Sequence, residues 1–343
     1  MLDDLKYIHQ RDAQDALGIA EKQWQQLQHK FDTPEITGKF ENIVYAGMGG
    51  SALGALISVS WPGYKVPFEV WRGYGTPAYV SEKTLFIVGS YSGNTEETLS
   101  ALSGAEERGA KIIVITGGGK LLEIGQAKSY PILSIPKVEQ PRFSTLYLVN
   151  ALTCIGRAAG LIPQENGEQQ LQQTAEFLQA SVASWLPTEP ANTNPAKKLA
   201  MEIAGKSPVI YGGPLLAPVA YKWKISFNEN AKNVAWWNQL PEFNHNEFIG
   251  WTSHPVQKPY AVIDLRSNME HERVQKRFEV TERLLSGKRP APYVIEAEGE
   301  GLLQQLVWTM AYGDFVSIYL ALINGLNPTP IDLIEKFKTE LNT

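Results

Sequence analysis

Ser90-Tyr91-Ser92-Gly93-Asn94-Thr95 follows an apolar run, Thr84-Leu85-Phe86-Ile87-Val88-Gly89, and precedes Glu96-Glu97-Thr98-Leu99-Ser100-Ala101-Leu102. The run reads as a buried parallel strand, and the segment after the loop reads as a helix with acidic residues in its first turn. A hydroxyl-rich loop is therefore expected at a helix N-terminus, where free backbone N–H groups and the positive end of the helix dipole favour an anion. Ser90, Ser92 and Thr95 add hydroxyl donors, and a phosphate monoester is the natural ligand. The competing reading is a helix cap, a common use of Ser, Thr and Asn in such turns. Three hydroxyls, one Gly and one Asn in six residues, at the strand end where open α/β sheets bind ligands, favour the ligand site.

Outward from this loop the same pattern recurs. Upstream, Asn42-Ile43-Val44-Tyr45-Ala46 reads as a short central strand, and Gly47-Met48-Gly49-Gly50-Ser51-Ala52-Leu53-Gly54 turns it into a helix. This turn matches a loose Gly-x-Gly-x-x-Ala dinucleotide fingerprint with Glu69 near the place of a ribose-binding acid, a weak signal on its own. Residues 68–71, 111–116 and 132–135 are further strands, and residues 144–159 form an apolar helix that closes a first domain. Residues 13–31 read as one amphipathic helix lying across that domain. A Gln-rich polar segment at 163–173 marks a composition shift, which places a first domain with its N-terminal helix at 1–162 and a second, with C-terminal helices, at 163–343.

In the second half, Ser207-Pro208-Val209-Ile210-Tyr211-Gly212-Gly213-Pro214 echoes the strand-then-glycine turn of residues 43–49. Residues 261–265 and 293–297 are strand candidates. Residues 302–322 and 331–341 read as helices, the last with Thr329 as N-cap and Pro330 in the first helical position. Alternation of strand and helix implies an α/β fold of doubly wound parallel sheets with right-handed crossovers, built from duplicated units.

With 343 residues the chain can bury two cores of ordinary size. A formal charge of −5 with no Lys/Arg-rich run offers nothing for a nucleic acid or an anionic membrane. The single cysteine, Cys154, excludes an internal disulfide framework and reads as a core thiol. Met1-Leu2-Asp3-Asp4-Leu5-Lys6 lacks the basic and apolar regions of a signal peptide, and no apolar run is read as membrane-spanning, so a cytoplasmic protein is expected.

Two polar stretches in the second half could carry chemistry: Ser226-Phe227-Asn228-Glu229-Asn230-Ala231-Lys232 and Trp236-Trp237-Asn238-Gln239-Leu240-Pro241-Glu242-Phe243-Asn244-His245-Asn246-Glu247. One holds a carboxylate and the other an imidazole, separated by an aromatic turn and a proline, so an acid/base pair is the economical reading. Asn228 and Asn230 could fix the Glu229 carboxylate, and Asn244 and Asn246 could do the same for His245. The remaining histidines, His9, His29, His254 and His271, are scattered and form no metal-binding pattern.

These stretches together carry a resemblance. Gly47-Met48-Gly49-Gly50-Ser51, Ser90 to Thr98, Pro141-Arg142, Asn228 to Lys232, and Leu240-Pro241-Glu242-Phe243-Asn244-His245-Asn246-Glu247-Phe248-Ile249-Gly250-Trp251 resemble, in order, the bifunctional phosphoglucose/phosphomannose isomerase family of the sugar-isomerase (SIS) domain superfamily. The resemblance implies two SIS-type domains of flavodoxin-like three-layer α/β/α architecture. It implies that Ser90, Ser92 and Thr95 bind the substrate phosphate, with Gly50 and Ser51 lining the sugar site. Arg142 would stabilise an enediolate; otherwise it would read as a surface arginine after a proline. Glu229 would move the proton between C1 and C2, and His245 would assist ring opening from the partner subunit of a homodimer. A C-terminal catalytic lysine matches Lys338 best, with Lys336 as its rival.

The implied activity is reversible aldose–ketose isomerisation of glucose 6-phosphate and mannose 6-phosphate to fructose 6-phosphate through a cis-enediol, an intramolecular oxidoreduction without metal or other cofactor. Gln239 stands where the family often has Glu, the Trp236-Trp237 pair is unusual, and the second half is longer than in compact members. The competing classes are a non-catalytic phosphosugar-binding SIS regulator and, from the Gly47 turn, a nucleotide-dependent oxidoreductase. A glutamine-dependent sugar aminase is disfavoured because no N-terminal cysteine or amidotransferase domain is seen.

Overall fold

A computed structural model describes residues 1–252 and 259–341; His254 lies outside them. In chain order the helices are α1 (Leu5–Arg11), α2 (Ala16–Glu21), α3 (Trp24–Leu27), α4 (Gly50–Ser60), α5 (Glu96–Glu107), α6 (Gly119–Ala127), α7 (Thr145–Ala158), α8 (Glu168–Val182), α9 (Pro195–Ile203), α10 (Ala217–Glu229), α11 (Glu247–Gly250), α12 (Glu272–Leu285), α13 (Leu302–Ile323) and α14 (Asp332–Leu341). The strands are β1 (Asn42–Ala46), β2 (Phe68–Trp71), β3 (Thr84–Ser90), β4 (Lys111–Thr116), β5 (Ile132–Ser134), β6 (Ser207–Gly212), β7 (Trp236–Gln239), β8 (Tyr260–Arg266) and β9 (Tyr293–Glu296).

The chain divides into two compact units, one of residues 22–179 with 301–303, the other of residues 1–21, 180–300 and 304–343. Besides residues 301–303, this differs from a cut at 162/163 in two longer segments. Residues 163–179 stay with the first sheet, and the N-terminal 21 residues belong with the second.

The first unit holds a parallel sheet in the order β2-β1-β3-β4-β5. All seven residues of β3 are buried, which is why its sequence is apolar rather than alternating. Ile43, Tyr45, Leu85, Ile87, Ile113 and Ile115 pack on one face with Leu148, Leu152 and Ile155 of α7. Val44, Ala46, Phe86, Val88, Ile112 and Val114 pack on the other with Ala101 and Leu102 of α5 and Leu121 of α6. Helices thus cover both faces, giving three layers. The order reverses direction between β1 and β3, the switch point at which such sheets bind ligands.

The second unit repeats the plan with a parallel sheet in the order β7-β6-β8-β9, so β6, β7, β8 and β9 stand where β1, β2, β3 and β4 stand in the first. The duplication read from the two glycine turns is therefore present in the topology. Strand β7 occupies the stretch expected to be only an aromatic turn. Its short Trp-Trp-Asn-Gln sequence lies on a sheet edge, with both tryptophans exposed, and lacks an apolar run that would mark it.

The single helix expected over 13–31 is two short ones. Asp12 accepts from the N–H groups of Ala16 (2.7 Å) and Leu17 (2.9 Å), and Asp15 takes a left-handed φ of 53°, so the chain starts anew at α2. Asn150 then donates through Nδ2 to the carbonyls of Gln26, Leu27 and His29, capturing the end of α3. Helix α13, at 22 residues, has the length and composition of a membrane-spanning segment, contrary to expectation, but 94% of its most apolar window is buried inside the protein. Helix α14 begins at Asp332, so Thr329 is not its cap.

Candidate active site

The hydroxyl loop lies at the switch point of the first sheet, at the C-terminal end of β3. Thr95 is the N-cap of α5 yet makes no side-chain cap bond. Its Oγ1 instead lies 2.8 Å from Ser90 Oγ, and Ser90 Oγ accepts from the Gly93 N–H at 3.1 Å. The hydroxyls are organised with one another, and the first-turn N–H groups are not taken up by the residue best placed to cap them. Ser92 is exposed and accepts weakly from the Asn94 N–H (3.3 Å). Gly93 has a φ of 70°, and a Cβ there would strike the Gly118 carbonyl, so only glycine fits. The loop is tied to its neighbour by Thr116 Oγ1 donating to the Ser90 carbonyl (2.7 Å) and by the Lys120 N–H donating to Asn94 Oδ1 (3.1 Å). Glu96, in the first turn, is held by the Tyr74 hydroxyl (3.0 Å).

The β1–α4 turn adjoins this loop. Ser51 is buried; its Oγ accepts from the Tyr91 N–H at 2.9 Å, and its carbonyl accepts from Tyr45 at 2.5 Å. Burial pushes the Tyr45 hydroxyl well above its ordinary range, so it is a permanent donor. Gly50 faces the 3-10 turn Pro141–Phe143: a Cβ on Gly50 would lie 2.7 Å from the Arg142 amide nitrogen and 2.8 Å from the Pro141 carbonyl carbon. Arg142 is only 1% exposed, with its guanidinium carbon 4.8 Å from the Phe143 ring centre, and is not the surface arginine its place after a proline would suggest. Gln26 holds this turn by donating to the Phe143 carbonyl at 2.6 Å. The structure therefore brings Ser90, Ser92, Thr95, Gly50, Ser51 and Arg142 onto adjoining loops of one unit.

Glu229, His245 and Lys338 lie in the other unit. Glu229 ends α10 and lines a cavity of about 950 Å³ together with Lys224, Asn228, Trp236, Asn327 and Ile331. That lining includes neither His245 nor Lys338. The flanking asparagines do not serve as expected. Asn228 donates to the Asn233 carbonyl (2.8 Å) and Asn230 to Ser317 Oγ (2.9 Å), so both shape the chain around Glu229. Around His245, Asn244 donates to Thr281 Oγ1 (2.9 Å) and Asn246 to Glu242 Oε1 (2.6 Å). His245 is exposed at the end of the 3-10 turn Glu242–His245, whose Phe243 is fully buried beneath it. Lys338 and Lys336 are both exposed on α14, paired with Glu335 (2.8 Å) and Glu340 (3.7 Å) respectively.

Other readings are corrected or left without support. Glu69 accepts a hydrogen bond from Tyr79, which gives it a partner within the fold. Cys154 is half-buried rather than core; it lines a cavity of about 530 Å³, and burial pushes its thiol up. Among the described residues no group of three His, Cys, Asp or Glu side chains is placed to share a metal ion. Lys232, Asn327 and residues 330–334 also line the Glu229 cavity, a place that neither the motif Asn228 to Lys232 nor the helix read at 331–341 discloses; a lysine closing Asn228 to Lys232 looks like an ordinary surface cation until its partners are seen.

A flavodoxin-like sheet with a hydroxyl loop at its switch point is the arrangement of SIS-domain proteins, and residues 69–135 match the model of the SIS domain. Residues 192–341 match the bacterial phospho-glucose isomerase C-terminal SIS domain. The chain is 36% identical to a bifunctional phosphoglucose/phosphomannose isomerase of Caldicellulosiruptor bescii, over 88% of this chain and 89% of that protein. It is also 36% identical to a D-glucosamine-6-phosphate 4-epimerase of Sulfolobus acidocaldarius, over 65% of this chain and 70% of that one. A glucose-6-phosphate isomerase like protein from Thermus thermophilus shares the fold, with a TM-score of 0.65 at 18% identity, over 97% of this chain and 99% of that chain. The chain belongs to the bifunctional phosphoglucose/phosphomannose isomerase family.

Proposed function

We propose that this protein interconverts glucose 6-phosphate and mannose 6-phosphate with fructose 6-phosphate through a cis-enediol, without metal or nucleotide. One observation carries the reading beyond family membership: Thr95 turns its hydroxyl to Ser90 instead of capping its own helix. Ser90, Ser92 and Thr95 hold the phosphate, and that remote binding orients C1 and C2. A proton beside a carbonyl is weakly acidic, so a positioned carboxylate and a cation are both needed. Glu229 takes the proton from one carbon and returns it to the other, and Arg142 faces the oxygen on which charge develops. Gly50 and Ser51 line the sugar. His245 assists ring opening from the partner subunit of a homodimer, and Lys338 completes the set, with Lys336 its rival. The exposed apolar residues Trp236, Ile249, Leu333 and Phe337 support a partner surface on this unit. We place the protein in the cytoplasm, with its phosphorylated substrates.

The test is fructose 6-phosphate formation from each aldose phosphate separately, with EDTA and no nucleotide. Turnover of both is expected; tight phosphosugar binding without turnover would select a regulator. The epimerase relative supplies a second reading, tested by incubating the protein with glucosamine 6-phosphate and assaying for the C4 epimer.

A further inference from the structure

Lys232 has a backbone φ of 51°, the left-handed region in which glycine is the usual residue. Its side chain accounts for a lysine there. The ammonium donates to the carbonyls of Asn230 (3.2 Å), Asn327 (2.8 Å) and Pro328 (3.1 Å). An ammonium has three donors and no acceptor, so three carbonyls can satisfy it in full. Asn230 is the residue after Glu229 and the C-cap of α10, where a cation also complements the negative end of the helix dipole. Asn327 and Pro328 belong to the segment that leads into α14. That segment continues as Pro330, Ile331, Asp332, Leu333 and Ile334, which line the Glu229 cavity.

We propose that Lys232 is a positioning residue that ties the Glu229 end of α10 to the 327–334 segment and so fixes the wall of the cavity beside the base. Through that segment it also sets where α14, which carries Lys338, begins. The neighbouring side chains act to the same end: Asn230 anchors to Ser317 on α13, and Asn233 donates to the Lys206 carbonyl at 2.9 Å. Lys232 does not touch the reacting atoms in this account; it acts through Glu229 and the cavity wall. The inference rests on the proposed role of Glu229.

Three variants separate this role from a purely local backbone one. Lys232→Gly relieves the left-handed backbone, so a residue kept only for its conformation would be replaced without loss or with a gain in stability. The tie predicts instead that Lys232→Gly and Lys232→Met lower kcat by roughly 10- to 100-fold through a misplaced base. KM should change by less than about threefold, because the Ser90 to Thr95 loop is untouched. Amide hydrogen exchange across 326–334 should accelerate in both variants, and Lys232→Arg, which can still donate to carbonyls, should recover most of kcat. A Lys232→Gly variant with wild-type kcat and unchanged exchange would overturn the proposal. Glu229→Gln is measured in parallel: if it keeps wild-type turnover, the base assignment fails, and the tie is then judged by the exchange result alone.

Discussion

Gly50→Ala should damage this protein although the same change at most helical glycines is harmless or helpful. Gly50 is the first residue of α4, and its φ is not in the left-handed region, so the backbone alone would accept alanine. Removing a glycine from a helix gains roughly 0.5–1 kcal/mol. The added Cβ, however, would lie 2.7 Å from the Arg142 nitrogen, 2.8 Å from the Pro141 carbonyl carbon and 2.9 Å from the Pro141 Cβ. Two of these contacts are backbone atoms of a turn held from its other side by Gln26, so no flexible side chain can yield. Overpacking of this kind costs about 1–3 kcal/mol, which set against the gain leaves the variant up to about 2.5 kcal/mol less stable.

Relief comes by moving the Arg142 turn away from α4, and a displaced charge-stabilising group costs on the order of tenfold or more in kcat. Thermal unfolding and a coupled assay of fructose 6-phosphate formation read both effects. Gly54→Ala is the control: its Cβ would collide with Leu148 and lie 2.8 Å from the Thr145 carbonyl, which strains the α4–α7 packing without pressing on the Arg142 amide. It should lose stability while keeping most of its kcat at a temperature where it is folded. A Gly50→Ala protein that melts at or above wild type with full kcat would refute the reasoning, since the close approach of the two loops would then carry no consequence.

Three further outcomes are expected. Mixing Glu229→Gln subunits with His245→Ala subunits should restore about a quarter of wild-type activity, because random exchange makes half the dimers mixed and each has one intact site; no recovery after verified exchange would place His245 in its own subunit's site. Thr95→Val should raise KM for the phosphosugar roughly tenfold by removing a hydroxyl from a charged ligand, while costing less stability than the loss of a helix cap, since Thr95 forms no cap bond; a large fall in melting temperature with KM unchanged would return the loop to a structural role. Burial holds the Glu270 carboxyl above its ordinary value of 4.5, against the N–H groups of Leu215 and Leu216, which pull it down. The folded protein therefore keeps this proton to higher pH than the unfolded chain, and its contribution to stability fades as pH rises through the shifted value. The melting temperature of Glu270→Gln relative to wild type should accordingly rise between pH 4.5 and pH 7; a flat or falling difference would contradict that direction.

What the sequence disclosed follows from how each element is stabilised. Strands β1, β3, β4, β6 and β8 are buried on both faces, and their apolar runs betray them at once. Strand β7 lies on an edge with exposed tryptophans, so nothing in its composition separates it from a turn. The break after Asp12 depends on a carboxylate capping α2, and the end of α3 depends on Asn150, more than a hundred residues away in sequence. Periodicity over 13–31 carries neither signal. In the same way the hydroxyl loop was legible as a turn between a buried strand and a helix, whereas the collision that reserves position 50 for glycine depends on the Arg142 turn folding back against α4. The asparagines beside Glu229 and His245 looked like ligand-binding groups because their type is right; the structure engages them with carbonyls, hydroxyls and a carboxylate of the fold.

The central claim is that Glu229 carries one proton between C1 and C2 of a phosphosugar. Its most direct test is isomerisation of glucose 6-phosphate in deuterium oxide by the wild-type and Glu229→Gln proteins, with label in fructose 6-phosphate read by NMR. A base role for Glu229 predicts deuterium at C1 of the wild-type product from exchange at the carboxylate, and a loss of turnover of about 10²- to 10⁴-fold in Glu229→Gln with phosphosugar binding retained. Turnover by Glu229→Gln at the wild-type rate, with the same label at C1, would contradict it.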